Sequence, residues 1–203
     1  RKPRPGWGDG VMSVSVSTLA NGLCVVSHQM PELETASLGV WVKTGARCEE
    51  ASQHGISHLL EHMAFKGTAR RSAREIAEEI ESVGGELNAA TSHETTAYYA
   101  RILKDDMPLA VDLIADILRD PQFDHDELVR EKDVILQEIA ASDDSPDDVA
   151  HDLAQSIAYP GQALGRAILG TPQSVTSFEP ADLTRYMLTN YAPGSMVLGA
   201  AGA

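Results

Sequence analysis

The sequence predicts an α+β domain of two layers, in which a mixed, mostly antiparallel sheet carries helices mainly on one face. Three observations lead there. Short β-rich segments separated by turn residues fill much of the first half, helical periodicity fills most of the second, and 203 residues that are 43% hydrophobic suit one core.

The elements follow in chain order. Residues 1–12 are basic and rich in Pro and Gly but lack the apolar stretch of a secretory signal, so they read as a flexible lead-in to a single domain over 13–203. Val14, Val16 and Thr18 alternate with small polar residues, and Asn21-Gly22 is a hairpin turn signal before a second strand from Leu23. A third strand spans 36–44 and Gly45 closes it; the polar linker 45–55 is expected on the surface. A helix over 55–65 comes next. Ser72 and Glu75 form a capping box for another helix, whose Ile76, Ile80 and Val83 recur at helical spacing until Gly84-Gly85. Residues 86–91 and 95–103 read as a second hairpin around Ser92-His93-Glu94.

The remainder is mostly helical. Leu109, Leu113, Ile114 and Ile117 stripe a helix over 106–118, Pro121 breaks the run, and 124–141 resumes it. Ser145 and Pro146, with Asp147 and Asp148 in the first turn, open a helix to about residue 158. A loop rich in Gly spans 159–171, a last helix spans 180–191, and a strand starts at Met196.

Composition narrows the function. A net charge of −14 argues against nucleic acid or an anionic membrane as partner and permits a basic or extended peptide. No run of 18 apolar residues marks a membrane span. Cys24 and Cys48 lack metal-type spacing, which argues against a disulfide framework and favours a reducing compartment.

The chemistry centres on His58-Leu59-Leu60-Glu61-His62. In a helix the two histidines lie one above the other, Glu61 falls about 60° to the other side of His58, and Ile56, Leu59, Leu60 and Met63 form an apolar back. Two imidazoles suit Zn²⁺, while a neighbouring carboxylate that does not bind the metal can handle a water proton. With seven histidines in the chain, a chance pair on a solvated helix satisfies the same pattern. The decision turns on a third ligand. Glu131 and Glu138, seven apart and so about 20° apart around their helix, share a side with Val134 and Ile135. Carboxylates in an apolar stripe need neutralising, one by a metal and the other by a proton or a neighbouring Arg or Lys. An amphipathic helix tilted to wet both acids is the alternative.

His58-Leu59-Leu60-Glu61-His62 followed at this distance by Glu138 resembles the H-x-x-E-H…E zinc signature of the M16 (pitrilysin-like) metallopeptidases. The stretches GISHLLEHMAFKGT (55–68), GGELNAATSHETTAY (84–98), EKDVILQEI (131–139) and LGRAILG (164–170) extend the similarity across nearly the whole chain. They resemble most the small-subunit branch that includes the mitochondrial processing peptidase β subunit and its bacterial relatives. The resemblance implies that His58, His62 and Glu138 bind one Zn²⁺ per chain, that Glu61 is the catalytic base, and that Glu131 is a second acid supporting the site. It also implies that Asn88 and Ala89 lie on an edge strand that takes up peptide substrate as an added β-strand. For Asn88 a simple strand-end role remains open.

Subunits of this branch usually contain two related domains, so a C-terminal domain or sister subunit is expected to complete the cleft, and this chain alone to cleave weakly. The compartments it allows are bacterial cytoplasm or periplasm, or mitochondrial matrix. A non-catalytic scaffold subunit of the same fold is the alternative, although such subunits typically have eroded motifs. S-ribosylhomocysteine lyase, which also uses H-x-x-E-H, needs a downstream cysteine ligand, and both cysteines here lie upstream.

Overall fold

The computed structural model describes residues 14–203; the lead-in expected over 1–12 lies outside them. Val14–Thr18 (β1) and Cys24–Gln29 (β2) form the first hairpin, with Gly22 at φ +91° in its turn and the Asn21 amide oxygen accepting from the Leu23 N–H. Then follow Thr35–Val42 (β3), Ile56–Ala64 (α1), Ala73–Ser82 (α2), Glu86–Thr91 (β4), Thr96–Leu103 (β5), Met107–Arg119 (α3), His125–Asp143 (α4), Pro146–Ala158 (α5), Pro172–Ser177 (α6), Pro180–Asn190 (α7) and Met196–Gly202 (β6). The strand order is β1-β2-β6-β3-β5-β4, in which β2 and β6 run parallel and the other neighbours antiparallel. Among the described residues β1 and β4 are therefore the edges.

Alternation along β3 and β5 decides which face the helices cover. Ala36, Leu38, Val40 and Val42 are buried together with Tyr98, Ala100 and Ile102. Trp41 points the other way and lies across Gly39 and Gly199, where added Cβ atoms would meet its ring at 2.8 and 2.9 Å. α3 packs on β3 and β5, α1 and α2 lie beside β4, α4 packs on α1, and α5 and α6 flank α4. Ile56, Leu59, Leu60 and Met63 of α1 are each at most 1% exposed. At about 1.5–3 kcal/mol per fully buried side chain, this apolar back holds α1 in the core and leaves its His/Glu face to the cleft. No helix among the described residues is long and apolar enough to cross a membrane.

Two expectations change. The linker 45–55 is no plain surface loop: it makes two 3₁₀ turns, Ala46–Cys48 and Ala51–Gln53, and buries Ala46 and Glu49. The Glu49 carboxylate accepts N–H bonds from Gly55 (2.8 Å) and Ser57 (2.9 Å), supplying partners for amides that the start of α1 leaves open. Burial pushes the Glu49 carboxyl up in spite of these bonds. The second change is α6, which no hydrophobic period announced; Thr171 and Ser174 cap it reciprocally and Pro172 starts it.

Glycine is required where α1 begins. Gly55 has φ +92°, and a Cβ there would lie 2.8 Å from the Gly170 Cα. Gly55→Ala is expected to lower stability by about 2 kcal/mol or more, through left-handed strain and backbone contact together. A denaturant midpoint equal to that of the parent would show that the approach relaxes freely.

The turn after α1 is also held. Thr68 Oγ1 donates to Asp116 (2.8 Å), and the Arg71 guanidinium binds Asp112 (2.6 Å), Asp116 (2.8 Å) and Glu79 (3.0 Å). Bonds from Arg70 and Arg71 hold the Asp112 carboxyl down to about 2. The segment leaving α1 is thereby pinned to α2 and α3.

Candidate metal centre

The α1–α4 contact brings the expected donors together. The Nε2 atoms of His58 and His62 lie 3.6 and 3.7 Å from the same Glu138 Oε2. The donor atoms of these three residues are all within 4.8 Å of one another. Metal–ligand bonds of about 2.0–2.1 Å at tetrahedral angles put ligand atoms about 3.3–3.4 Å apart, so this donor set fits Zn²⁺ with little movement.

The two α4 acids part company. The Glu131 side chain is 8% exposed and that of Glu138 is 41% exposed. Val134, expected in one apolar stripe with both, is 39% exposed instead. The buried line of α4 is Leu128, Glu131, Ile135 and Ile139, and Glu138 sits at its margin, open to the cleft. Glu131 Oε2 accepts the Nδ1–H of His62 (2.9 Å), which turns the His62 Nε2 lone pair towards Glu138, and Glu131 Oε1 pairs with Lys66 Nζ (2.6 Å). Burial opposes ionisation of Glu131, but the Lys66 ammonium and the His62 N–H outweigh it and hold the carboxyl below its usual range. His58 has no such support, because its Nδ1 is buried without a partner among the described residues. Burial, with His62 alongside, lowers the His58 imidazole to about 4, so it is neutral and able to ligate near neutral pH.

Glu61 lines a cleft of about 690 Å³ with His58, Glu138, Ala89 and Ala90. Behind it, the buried Tyr98 and Tyr191 hydroxyls bond each other at 3.1 Å. Burial raises both phenols, and the Glu61 charge adds to the effect.

β4 forms one wall of this cleft. The hairpin closes with Ser92 N–H to Thr95 O, so in the Ala89↔Tyr98 register Leu87, Ala89 and Thr91 turn their backbone polar groups to the free edge. The Asn88 side chain is exposed rather than in the cleft, and its Oδ1 accepts the Ala89 N–H at 2.8 Å. Asp148, His151 and Asp152 of α5 also line the cleft. Asp148, a first-turn acid by sequence, shares one face of α5 with Asp152 at i, i+4 spacing. Glu49, in a linker whose composition points to the surface, and Lys66, just beyond the expected helix end, carry no local signal of their roles.

This α+β domain, with its paired-histidine helix beside an edge strand, matches the crystal structure of a protease from Helicobacter pylori with a TM-score of 0.89 and 25% identity, over 95% of this chain and 46% of that one. The chain belongs to peptidase family M16, since residues 24–172 match the model described as Insulinase (Peptidase family M16). It is 44% identical over 187 residues to the mitochondrial-processing peptidase subunit beta of Lentinula edodes, covering 92% of this chain and 40% of that protein. It is 43% identical over 185 residues to the uncharacterized zinc protease YmxG of Bacillus subtilis, covering 91% and 45%. The chain thus spans less than half the length of these relatives.

Proposed function

We propose that this chain carries the metal centre of a zinc-dependent metalloendopeptidase that cuts extended peptides. The observation that carries the reading is the convergence of His58, His62 and Glu138, with Glu61 in the same cleft. Bound there by those three residues, zinc would supply Lewis-acid polarisation of a carbonyl and a more acidic water. Glu61 takes the proton of the attacking water as its oxygen adds to the scissile carbonyl carbon, then passes it to the nitrogen as the C–N bond breaks. Glu131 orients His62. Leu87, Ala89 and Thr91 offer the main-chain groups on which a peptide strand would pair, once Asn88 releases the Ala89 N–H.

Asp148 and Asp152 favour a substrate with a basic side chain beside the cleft. Replacing both with Asn is expected to raise KM for such a peptide about tenfold, about 1.4 kcal/mol, and to leave a neutral analogue unchanged. Equal KM changes for the two peptides would remove this specificity role.

The relatives' greater length supports a second domain or sister subunit that closes the cleft from the far side. The test is zinc titration of the purified chain, followed by a peptide-cleavage assay with and without that completing half. One zinc per chain and cleavage that rises on adding the half are expected; a chain that binds no zinc overturns the reading.

A further inference from the structure

We infer that Lys66 is a positioning residue for the metal centre: through Glu131 it fixes the orientation and tautomer of His62. The inference rests on the zinc reading above. Lys66 Nζ reaches Glu131 Oε1 at 2.6 Å while Glu131 Oε2 takes the His62 Nδ1–H at 2.9 Å, so a single carboxylate is gripped from both ends. Glu131 is almost wholly buried, and Lys66 is the cation that neutralises it there. Without that cation the buried carboxylate would lose its charge partner and turn towards water, which withdraws the acceptor that keeps the proton on Nδ1. A proton on Nε2 instead would block the atom that faces Glu138 and His58.

The lysine is itself well placed to hold this position. Its backbone N–H returns to Met63 O at 3.2 Å, and the next residues are clamped by the Thr68, Arg71 and Asp116 bonds to α3. The grip is one-sided. Among the described residues His58 has no corresponding chain of partners, so the contact between Lys66, Glu131 and the imidazole is made to one ligand and not to the other.

The test compares Lys66→Met, Lys66→Arg, Glu131→Gln and the Lys66→Met/Glu131→Gln pair in two measurements. In the metal-free protein, long-range ¹⁵N–¹H correlation should place the His62 proton on Nδ1 in the parent and in Lys66→Arg. In Lys66→Met it should shift towards Nε2, with the His58 signals as internal control. By chelator competition, zinc affinity should fall about tenfold in Lys66→Met, the lower end of losses seen when partners of a ligating histidine are removed, and stay within about threefold in Lys66→Arg. In the Glu131→Gln background, adding Lys66→Met should cost nothing further.

Parental zinc affinity and an unchanged His62 tautomer in Lys66→Met would overturn the inference, as would the same tenfold loss in the Glu131→Gln background. If Lys66→Met does not fold, Lys66→Arg and the pair, which lacks the unpaired carboxylate, decide it by the same criteria. A parent that binds no zinc would refute the zinc reading, while the metal-free spectrum still reports on the contact between Lys66, Glu131 and His62.

Discussion

Glu61→Gln is expected to bind zinc like the parent and to lose about 10²- to 10⁴-fold in peptide turnover, the range for removing a general acid–base group. Glutamine keeps the volume and can still hydrogen-bond to water, but it cannot accept and return a proton near neutral pH. Glu61 shares the cleft with His58 and Glu138 yet is absent from the three converging donors, so the change should leave the donors in place. The measurement is kcat/KM on an extended peptide, with this chain supplemented by the half its relatives carry, beside a zinc titration of the same sample. Parental turnover would remove the base assignment, and lost zinc would make Glu61 a ligand.

Glu138→Gln is expected to weaken zinc binding more than about 100-fold, beyond the range for a residue that only supports a ligand. Glu131→Gln should stay within about 10- to 100-fold. The two acids lie two turns apart on one helix and differ in what they face: Glu138 Oε2 sits 3.6–3.7 Å from both histidines, whereas Glu131 meets the far nitrogen of His62. Thermal melts give an independent reading. Zinc at 100 times its Kd stabilises the native state by about 2.7 kcal/mol, a rise of about 5–10 °C for a domain of this size. At the zinc level that gives the parent this rise, Glu138→Gln should gain less than about 0.4 kcal/mol, a rise of at most about 1–2 °C. A reversed order of loss, with Glu131 the more costly, would exchange the roles of the two carboxylates.

Much of the local structure was legible because it depends on neighbours in the chain. Asn21-Gly22, the Ser72 and Glu75 box, and the Ser145-Pro146 start each act within a few residues, and each produced the expected turn or cap. The apolar back of α1 could be read from its period, because burial of Ile56, Leu59, Leu60 and Met63 follows from helical geometry once any core exists. Glu49 was not legible in this way. A carboxylate in a polar linker looks solvated until the chain folds back to bring Gly55 and Ser57 N–H groups to it.

The insertion of β6 between β2 and β3 likewise has no local signal, since the partners lie at opposite ends of the chain. By itself the sequence determined the α+β class and the His/Glu/His face, which are properties of residue type and short-range spacing, while the family was legible as a resemblance of motifs spread along the chain. Helical spacing left the two carboxylates of α4 equivalent and only the family resemblance told them apart; the tertiary structure shows how far each lies from the imidazoles, which cation answers Glu131, and which backbone groups of β4 stay free. Those depend on how α4 leans on α1 and on strand register, and both are set by the summed packing of a core whose members are distant in the chain.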